Sequence, residues 1–302
     1  MNNETGNLLG ASPHFLRVLN AARMVAGTDT PVLITGEQGT GKEMLAREIH
    51  AVSQWNRGAF HVINCSGVSG PGFQLELDRV GGQREQSGAG TLFLDEVGEL
   101  MPDAQQQLLH MLESHGLTAR QTGRPRIIVS SSLDLRKLVD AGDLREDLYY
   151  RLFVVPLEVP PLRDRQEDIV ILLKRFSSEF ARVHNRRSPR YSVSARNLLK
   201  RYPWPGNVRE LRNFCERMVI LMAGQIIQPE NLPQEIRQGP EQKRDRPRFL
   251  LPADGINLME LESDVIRQAL GLSGGNRSKA ARLLGISRDT LLYRIQKHAI
   301  EV

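Results

Sequence analysis

The sequence of 302 residues is poor in several features that mark particular classes of protein. It has only two cysteines, Cys65 and Cys215, which cannot build a disulfide framework and fit buried small apolar side chains instead. Its first residues, MNNETGNLL, contain neither a basic nor an apolar signal region, and no run reaches the roughly 18 apolar residues of a membrane helix. These absences exclude secreted miniproteins and membrane proteins, and they predict a cytoplasmic protein with no membrane partner.

The net charge is small, at +5, because 40 Lys and Arg are nearly balanced by 35 Asp and Glu. Any surface that binds nucleic acid must therefore be local. The apolar fraction of 40% is ordinary for a globular protein. At about twice the length of a typical domain, the chain is expected to form two or three folding units.

Between Pro31 and Leu157, short apolar runs alternate with helical patterns. The predicted strands are Pro31–Thr35, His61–Asn64, Thr91–Leu94, Arg126–Ser130 and Phe153–Leu157, and the predicted helices are Lys42–Val52, Asp103–Ser114 and Leu135–Ala141. Such alternation is typical of an α/β fold in which helices cover a parallel sheet.

After Pro160 and Pro161 the pattern becomes helical, with no convincing strand. The helices predicted there are Asp168–Val183, Ser194–Tyr202 and Val208–Ala223. A polar stretch with prolines follows and is typical of a linker, and the last segment is helical again. The predicted domains are an α/β domain at 1–162, a helical domain at 163–236, a linker at 237–254 and an all-α domain at 255–302.

A phosphate-binding loop is predicted between the first strand and the first helix, where the sequence fits G-x-x-x-x-G-K. Its residues are Gly36, Glu37, Gln38, Gly39, Thr40, Gly41 and Lys42. The glycines let backbone N–H groups converge on phosphate, and Lys42 reaches the β- and γ-phosphates of ATP. Glu43 follows, where Ser or Thr usually contacts Mg²⁺. For this motif alone, the alternative is a glycine-rich turn without a ligand.

A second motif follows the buried strand Thr91–Leu94, which ends in two carboxylates. Asp95 is placed to hold Mg²⁺ through water, and Glu96 to orient and deprotonate the attacking water. Alone, such a pair is most often two solvated charges at a turn. Together, the two motifs supply the phosphate cradle, the metal ligand and the polarised water that phosphoryl transfer needs.

With these motifs, the chain resembles the central domain of sigma-54-dependent bacterial enhancer-binding proteins, a family of AAA+ ATPases. The segments that carry the resemblance are Gly36–Glu43, Thr91–Leu100, Leu144–Leu152, Val159–Ile169 and Tyr202–Leu211. It extends from Leu9 to the C-terminus and implies that the helical domain is the AAA+ lid. It also implies ATP hydrolysis at the subunit interfaces of a homo-oligomeric ring, a hexamer.

The resemblance assigns roles to further residues. Arg145 and Arg151 fall on the two arginines that reach into a neighbouring subunit's ATP site, a task that suits a permanently charged guanidinium. Arg209 falls on the lid arginine that senses γ-phosphate. Asn64 falls on the residue that holds Glu96 in an inactive pose until ATP is bound. Without the resemblance, each arginine would be interpreted as a solvated surface charge.

The basic charge is concentrated near the C-terminus, where six Lys and Arg oppose one acid between Asn276 and His298. The pattern is typical of helix, tight turn and helix, with Gly285 permitting the turn and Ser287 capping the second helix. It resembles the family's Fis-type helix-turn-helix, which implies double-stranded DNA as a partner. The predicted DNA-binding residues are Lys279, Arg288, Thr290, Arg294 and Lys297. The alternative is a basic hairpin that packs on the lid.

The chain departs from the family pattern at several places. Residues 64–91, where the family carries its GAFTGA loop for gripping sigma-54, are too few for that insertion, and their glycines favour a flexible turn. This stretch contains Phe73 but no Thr before residue 91. The loop before Arg126 is also short, and Ser131-Ser132 replaces Thr-Asn, which predicts a slow ATPase. We expect an atypical member without a GAFTGA loop or a sensory domain before Leu9.

These observations predict a DNA-bound transcription regulator with an ATP-hydrolysing, Mg²⁺-dependent core. It either remodels RNA polymerase carrying sigma-54, as the resemblance implies, or has lost that coupling. In the second case it acts on another polymerase form, as a repressor, or in mixed oligomers with a full-length relative. The helix Leu258–Leu270 is implied to pair two chains. A different class, an AAA+ remodelling ATPase for a client outside transcription, is disfavoured by the basic helix-turn-helix.

Overall fold

The computed structural model describes residues 8–87, 90–114, 125–237, 255–298 and 300. The chain divides into two compact units, Met1–Glu241 and Gln242–Val302. The predicted linker lies outside the described residues except for Arg237, and most of the short loop before Arg126 also lies outside them. Within the described part, no helix has the length and apolar composition needed to cross a membrane.

The first unit is built on a parallel sheet of five strands in the order β2-β3-β4-β1-β5. The strands are β1 (Val32–Thr35), β2 (Phe60–Asn64), β3 (Thr91–Asp95), β4 (Arg126–Ser131) and β5 (Val155–Glu158). The predicted α/β class and all five predicted strands are confirmed. Parallel strands end at one edge of a sheet, and the register pairs Asn64 with Asp95 and Thr35 with Ser131 at that edge.

Helices cover both faces of this sheet because side chains alternate along each strand. Leu33 packs into the core on one face, whereas Val32 and Ile34 pack on the other. The helices are α1 (Pro13–Val25), α2 (Lys42–Ala51), α3 (Gly70–Ser87), α4 (Pro102–Ser114), α5 (Leu135–Ala141) and α6 (Glu146–Leu152). The first two helices share a core with Val32 and Ile34, and the remaining helices share a core with Leu33.

Helix α3 corrects the prediction of a flexible turn in this region. Phe73, Leu77 and Val80 have helical spacing and pack against the core beneath the sheet. Burial of a large apolar side chain stabilises by about 1.5–3 kcal/mol. That gain exceeds the cost of about 1 kcal/mol for each glycine in a helix interior. The helix begins at Gly70, whose N–H donates to an Asp103 carboxylate oxygen at 2.7 Å.

The helical region after β5, predicted to be the lid, packs around Trp204, which is fully buried. Its helices are α7 (Gln166–Val183), α8 (Val193–Arg201), α9 (Asn207–Leu221) and α10 (Gln234–Arg237). The predicted lid helices are confirmed. The expectation of no strand is wrong in one detail, because β6 (Arg190–Tyr191) and β7 (Ile226–Ile227) pair in parallel. This short ladder fastens the loop after α7 to the loop after α9.

The second unit is helical and has its own small core. Its helices are α11 (Leu258–Leu272), α12 (Arg277–Leu284) and α13 (Arg288–Lys297). Gly285 ends α12 with a φ of 67°, and the Ser287 hydroxyl accepts from Thr290 N–H at 3.1 Å to cap α13. Ala280 and Ala281 are buried where α12 meets the other helices. The helix-turn-helix pattern and its two turn residues are confirmed.

Candidate functional site

The phosphate loop joins β1 to α2, as its sequence predicts. Gly36, Gly39 and Gly41 have φ values of 143°, 76° and 103°, which side chains other than glycine rarely adopt. At Gly36 a Cβ atom would lie 2.6 Å from the Val159 carbonyl oxygen. At Gly39 it would lie 2.4 Å from the Gly206 carbonyl oxygen. Glycine at these positions lets the loop curl in tight contact with β5 and the lid.

Lys42 lies beneath this loop, with its side chain only 5% exposed. Its Nζ donates to the Gly36 carbonyl oxygen at 3.0 Å and lies 3.0 Å from Glu96 Oε1. The ammonium therefore joins the phosphate loop to the carboxylates after β3. A cation at this place is suited to neutralising phosphate oxygens that enter the cradle.

Glu96 is held in a defined position with a φ of 58°. Its Oε2 accepts from Ser132 N–H at 2.6 Å and from the Ser132 hydroxyl at 2.8 Å. Burial alone would raise the pKa of this carboxyl, but the hydrogen bonds from Ser132 and Lys42 outweigh burial and lower it. Glu96 is therefore an anion at neutral pH, as a group that accepts a proton from water must be.

Two serines, Ser130 and Ser132, contact the carboxylates of Asp95 and Glu96. The Ser130 hydroxyl donates to Asp95 Oδ1 and accepts from Glu96 N–H at 3.1 Å. Ser131 instead donates to the Leu133 carbonyl oxygen at 2.9 Å. Since side chains alternate along a strand, Ser130 and Ser132 reach the same side. The contact of Ser130 was not predicted from the sequence, although the alternation of side chains along β4 is a signal that could have indicated it.

Asn64 lies beside Asp95 in the sheet register, at the edge where the carboxylates gather. Its Oδ1 accepts from Ser66 N–H at 2.9 Å. Among the hydrogen bonds of the described residues, none joins Asn64 to Glu96, whose partners are Lys42 and Ser132. The structure brings the two residues to one edge without the predicted contact.

The arginines assigned to a neighbouring site lie on the surface around α6. Arg145 precedes this helix and pairs with Asp147 at 2.7 Å. Arg151 lies within it, 3.9 Å from a Glu113 oxygen. Their side chains are 45% and 53% exposed, so both guanidinium groups are accessible from outside the subunit. Arg209 is exposed in the first turn of α9, and its N–H lies 3.3 Å from the Gly39 carbonyl oxygen.

Two acidic residues predicted to line the cradle have other partners. Glu37 accepts from Arg163 at 2.7 and 2.9 Å, and from Asn207 at 3.1 Å. Glu43 pairs with Arg47, one turn further along α2, at 2.7 Å, and its side chain is 46% exposed. In the part of the chain that is described, no cluster of three or more His, Cys, Asp or Glu side chains could hold a metal. Mg²⁺ commonly takes one or two carboxylates together with substrate phosphates, so it does not require such a cluster.

The predicted DNA-binding side chains lie on α12 and α13, and most of them are exposed. Arg288, Thr290 and Lys297 are exposed on α13, and Lys279 is exposed in the first turn of α12. Arg294 differs, because its Nη1 lies 2.6 Å from Glu262 of α11. Glu262 also contacts His298 Nε2 at 2.8 Å. Arg294 therefore has an ion-pair partner within the helix-turn-helix, and its role in DNA binding stays a prediction.

We expect Arg288→Ala to weaken binding to a genomic DNA fragment selected by the wild-type protein by about 1–3 kcal/mol, because a base-reading guanidinium is lost. Arg294→Ala should cost less, since that guanidinium is already paired. Arg267→Ala is the matched control, because Arg267 pairs with Asp264 on the exposed face of α11. Equilibrium DNA titration at several salt concentrations checks this, and Arg288→Ala affinity equal to wild type would contradict the assignment.

Family profiles match almost the whole chain. Residues 8–158 match the Sigma-54 interaction domain, residues 163–248 the AAA+ ATPase lid domain, and residues 258–298 the bacterial regulatory protein domain of the Fis family. The transcriptional regulatory protein ZraR of Klebsiella oxytoca is 37% identical over 308 residues, which cover 96% of this chain and 68% of ZraR. The regulatory protein AtoC of Escherichia coli K12 is 37% identical over 319 residues, which cover 98% of this chain and 68% of AtoC.

Solved structures agree with the sequence relatives. The crystal structure of NtrX from Brucella abortus in complex with ATP has a TM-score of 0.68 and 30% identity, covering 99% of this chain and 71% of NtrX. The phosphate loop, the carboxylates after β3 and the helix-turn-helix are the parts that such a regulator needs. The chain belongs to the family of sigma-54-dependent enhancer-binding proteins, and it is a DNA-binding transcription regulator with an AAA+ core that binds and hydrolyses ATP.

Proposed function

We propose that this regulator hydrolyses ATP at the interfaces of a homo-oligomeric ring and does not by itself open sigma-54 promoters. Glu96 takes the proton of the attacking water, while Lys42 and Arg209 contact the nucleotide phosphates. Arg145 and Arg151 complete the neighbouring subunit's site, and the exposure of both side chains, just before α6 and within it, supports this. A ring of six such subunits, or a mixed ring with another member of the family, provides these interfaces.

The proposal that ATP hydrolysis does not open sigma-54 promoters rests on the position of Phe73. It is the only Phe between Asn64 and Thr91, and it is 0% exposed in the core beneath the sheet. A side chain at that depth cannot grip a sigma factor. Residues 70–87 form the single helix α3 rather than a presented loop tip. This arrangement supports a member without a GAFTGA loop, whose ATP cycle serves another output.

Mg²⁺ is the metal that the site would hold, with Asp95 as its protein ligand through water. When bound, it would neutralise charge on the β- and γ-phosphates. Ser130 holds Asp95 through its hydroxyl, so one carboxylate oxygen is oriented by the protein. Glu43 is committed to Arg47 and is not needed for this coordination. Asp95 would therefore be the main protein group that holds the metal.

The remaining parts of the proposal concern organisation and partners. The α/β domain at 1–162, the lid at 163–236, the linker at 237–254 and the DNA-binding domain at 255–302 act in one cytoplasmic regulator. Its partners are double-stranded DNA and RNA polymerase, in the sigma-54 form that the family resemblance implies. The proposal allows three regulatory effects. The protein acts on another form of RNA polymerase, represses transcription, or acts within a mixed ring.

Open-complex formation in vitro tests the proposal. The template carries a sigma-54 promoter and a DNA site that the protein occupies, and ATP, sigma-54 polymerase and this protein are added. We expect DNA binding and ATP hydrolysis but no open complex above the level without activator. A full-length relative on its own site is the positive control. ATP-dependent opening by this protein alone would show that another surface contacts sigma-54.

A further inference from the structure

The lid holds successive carbonyl groups of the phosphate loop. The hydrogen bonds are Asn207 Nδ2 to Gln38 O at 3.0 Å, Val208 N to Gly39 O at 2.9 Å, Arg209 N to Gly39 O at 3.3 Å and Arg165 Nη2 to Thr40 O at 2.8 Å. Arg165 is itself buried and lies over the Phe15 ring, 4.7 Å from its centroid. Every carbonyl from residue 38 to residue 40 is thus turned toward the lid.

This arrangement determines where the loop's N–H groups point. In a planar trans peptide, the carbonyl of one residue and the N–H of the next point in opposite directions. The N–H groups of Gly39, Thr40 and Gly41 are therefore turned away from the lid, toward the phosphate cradle. Among the described residues, the N–H groups of Gly39 and Gly41 have no protein acceptor, and Thr40 N–H makes one long contact of 3.4 Å to the Glu37 carbonyl.

Three side chains fasten the two parts together, and we call Glu37, Arg163 and Asn207 the latch. Both Glu37 oxygens accept from Arg163, and one also accepts from Asn207. Hydrogen bonds from Arg163 first and Asn207 second lower the pKa of Glu37, so its carboxylate is charged at neutral pH.

Asn207 connects three segments. It is fully buried with a φ of 52°, and its Oδ1 accepts from Leu162 N–H at 2.8 Å. Its Nδ2 reaches Glu37 and the Gln38 carbonyl oxygen. Since both ends of its amide are engaged, no part of this side chain is left to bind nucleotide.

We propose that Glu37 and Asn207 are positioning residues, which hold the phosphate loop in its nucleotide-binding shape before nucleotide arrives. They act on ATP through the loop and not by touching it. ADP and ATP share the α- and β-phosphates that the loop cradles. Loss of the latch should therefore lower the binding affinity for both nucleotides by the same factor. A protein whose competent conformation is populated less often has an apparent dissociation constant raised in proportion.

The test compares Glu37→Ala and Asn207→Gly in the full chain, with glycine chosen because it tolerates the positive φ at residue 207. Dissociation constants for ADP and for a non-hydrolysable ATP analogue are measured, together with kcat and KM for ATP. We expect Glu37→Ala to raise both dissociation constants about 3- to 10-fold, and Asn207→Gly to raise them about 10-fold or more. The kcat at saturating ATP should stay within about 2-fold of wild type, since full occupancy restores the competent loop.

Rescue and control variants separate positioning from general stability. Glu37→Arg combined with Arg163→Glu restores the ion pair and should recover part of the lost affinity, which a damaged fold would not do. Glu179→Ala removes a comparable exposed pair with Arg212 within the lid and should leave both affinities unchanged. Unchanged affinities in Glu37→Ala, a loss confined to the ATP analogue, or no rescue by the charge swap would each overturn the proposal.

Discussion

Replacing Lys42 or Asp95 by alanine is expected to abolish ATP turnover while the protein remains folded. Lys42 is the buried cation between the phosphate loop and Glu96, and Asp95, which accepts from Ser130, is the proposed ligand of Mg²⁺. Loss of Lys42 removes a counter-ion of the phosphates, and loss of Asp95 would remove the protein ligand of the proposed metal. Removing a single group that stabilises transition-state charge typically lowers kcat by about 10²–10³-fold. Steady-state phosphate release from purified protein measures this.

Arg23→Gln is the matched control for these substitutions. Arg23 pairs with Glu48 at 2.7 Å on the outer side of α1 and α2, and its side chain is 52% exposed. Its loss removes a charge from the same domain without touching the phosphate loop. Turnover in Lys42→Ala or Asp95→Ala that matches this control would contradict the placement of the active site.

Arg151→Ala is expected to bind ATP normally but to lose hydrolysis, because in the proposed ring its guanidinium acts on the neighbouring subunit. In enzymes where its effect has been measured, an arginine supplied by a neighbour raises the rate of nucleotide hydrolysis by a factor of roughly 10³–10⁵. Arg145→Ala should behave in the same way. Mixing Arg151→Ala with Lys42→Ala protein should restore part of the activity, because some interfaces then combine an intact loop with an intact arginine.

The mixing experiment needs assembly to be established independently. Sedimentation in the presence of nucleotide shows whether both variants enter the same oligomer. With mixed oligomers present, activity should rise to a maximum at an intermediate ratio of the two proteins. A flat, inactive profile at every ratio would mean that Arg151 does not act across an interface.

The elements around the site could be predicted because their signals are local. The three central strands β1, β3 and β4 are buried on both faces and are therefore short apolar runs, such as Val32–Thr35 and Thr91–Asp95. The phosphate loop is recognisable because only glycine tolerates its backbone angles and its close approach to Val159 and Gly206. The turn at Gly285 and the cap at Ser287 are equally local.

Helix α3 could not be predicted from composition, because its glycines suggested a turn. The helix forms because Phe73, Leu77 and Val80 have helical spacing and are buried against the core. That core is built from distant segments, so it cannot be recognised from this stretch of sequence alone. The latch was missed for a similar reason. Glu37 and Asn207 are separated by 170 residues in the chain, and Glu37 has the position of a nucleotide ligand within its motif. The contact between Arg294 and Glu262 also joins two helices, and neither residue signals it alone.

The most direct test of the central claim is a cryo-electron microscopy structure of the assembled protein with Mg²⁺ and a non-hydrolysable ATP analogue. The claim is that each ATP site is completed by a neighbour. We expect a closed ring in which Arg145 or Arg151 of one subunit has left its own carboxylate partner, Asp147 or Glu113, and donates to the neighbour's γ-phosphate. An assembly with nucleotide bound, in which both arginines stay on those carboxylates and no neighbouring side chain reaches the phosphates, would contradict the account.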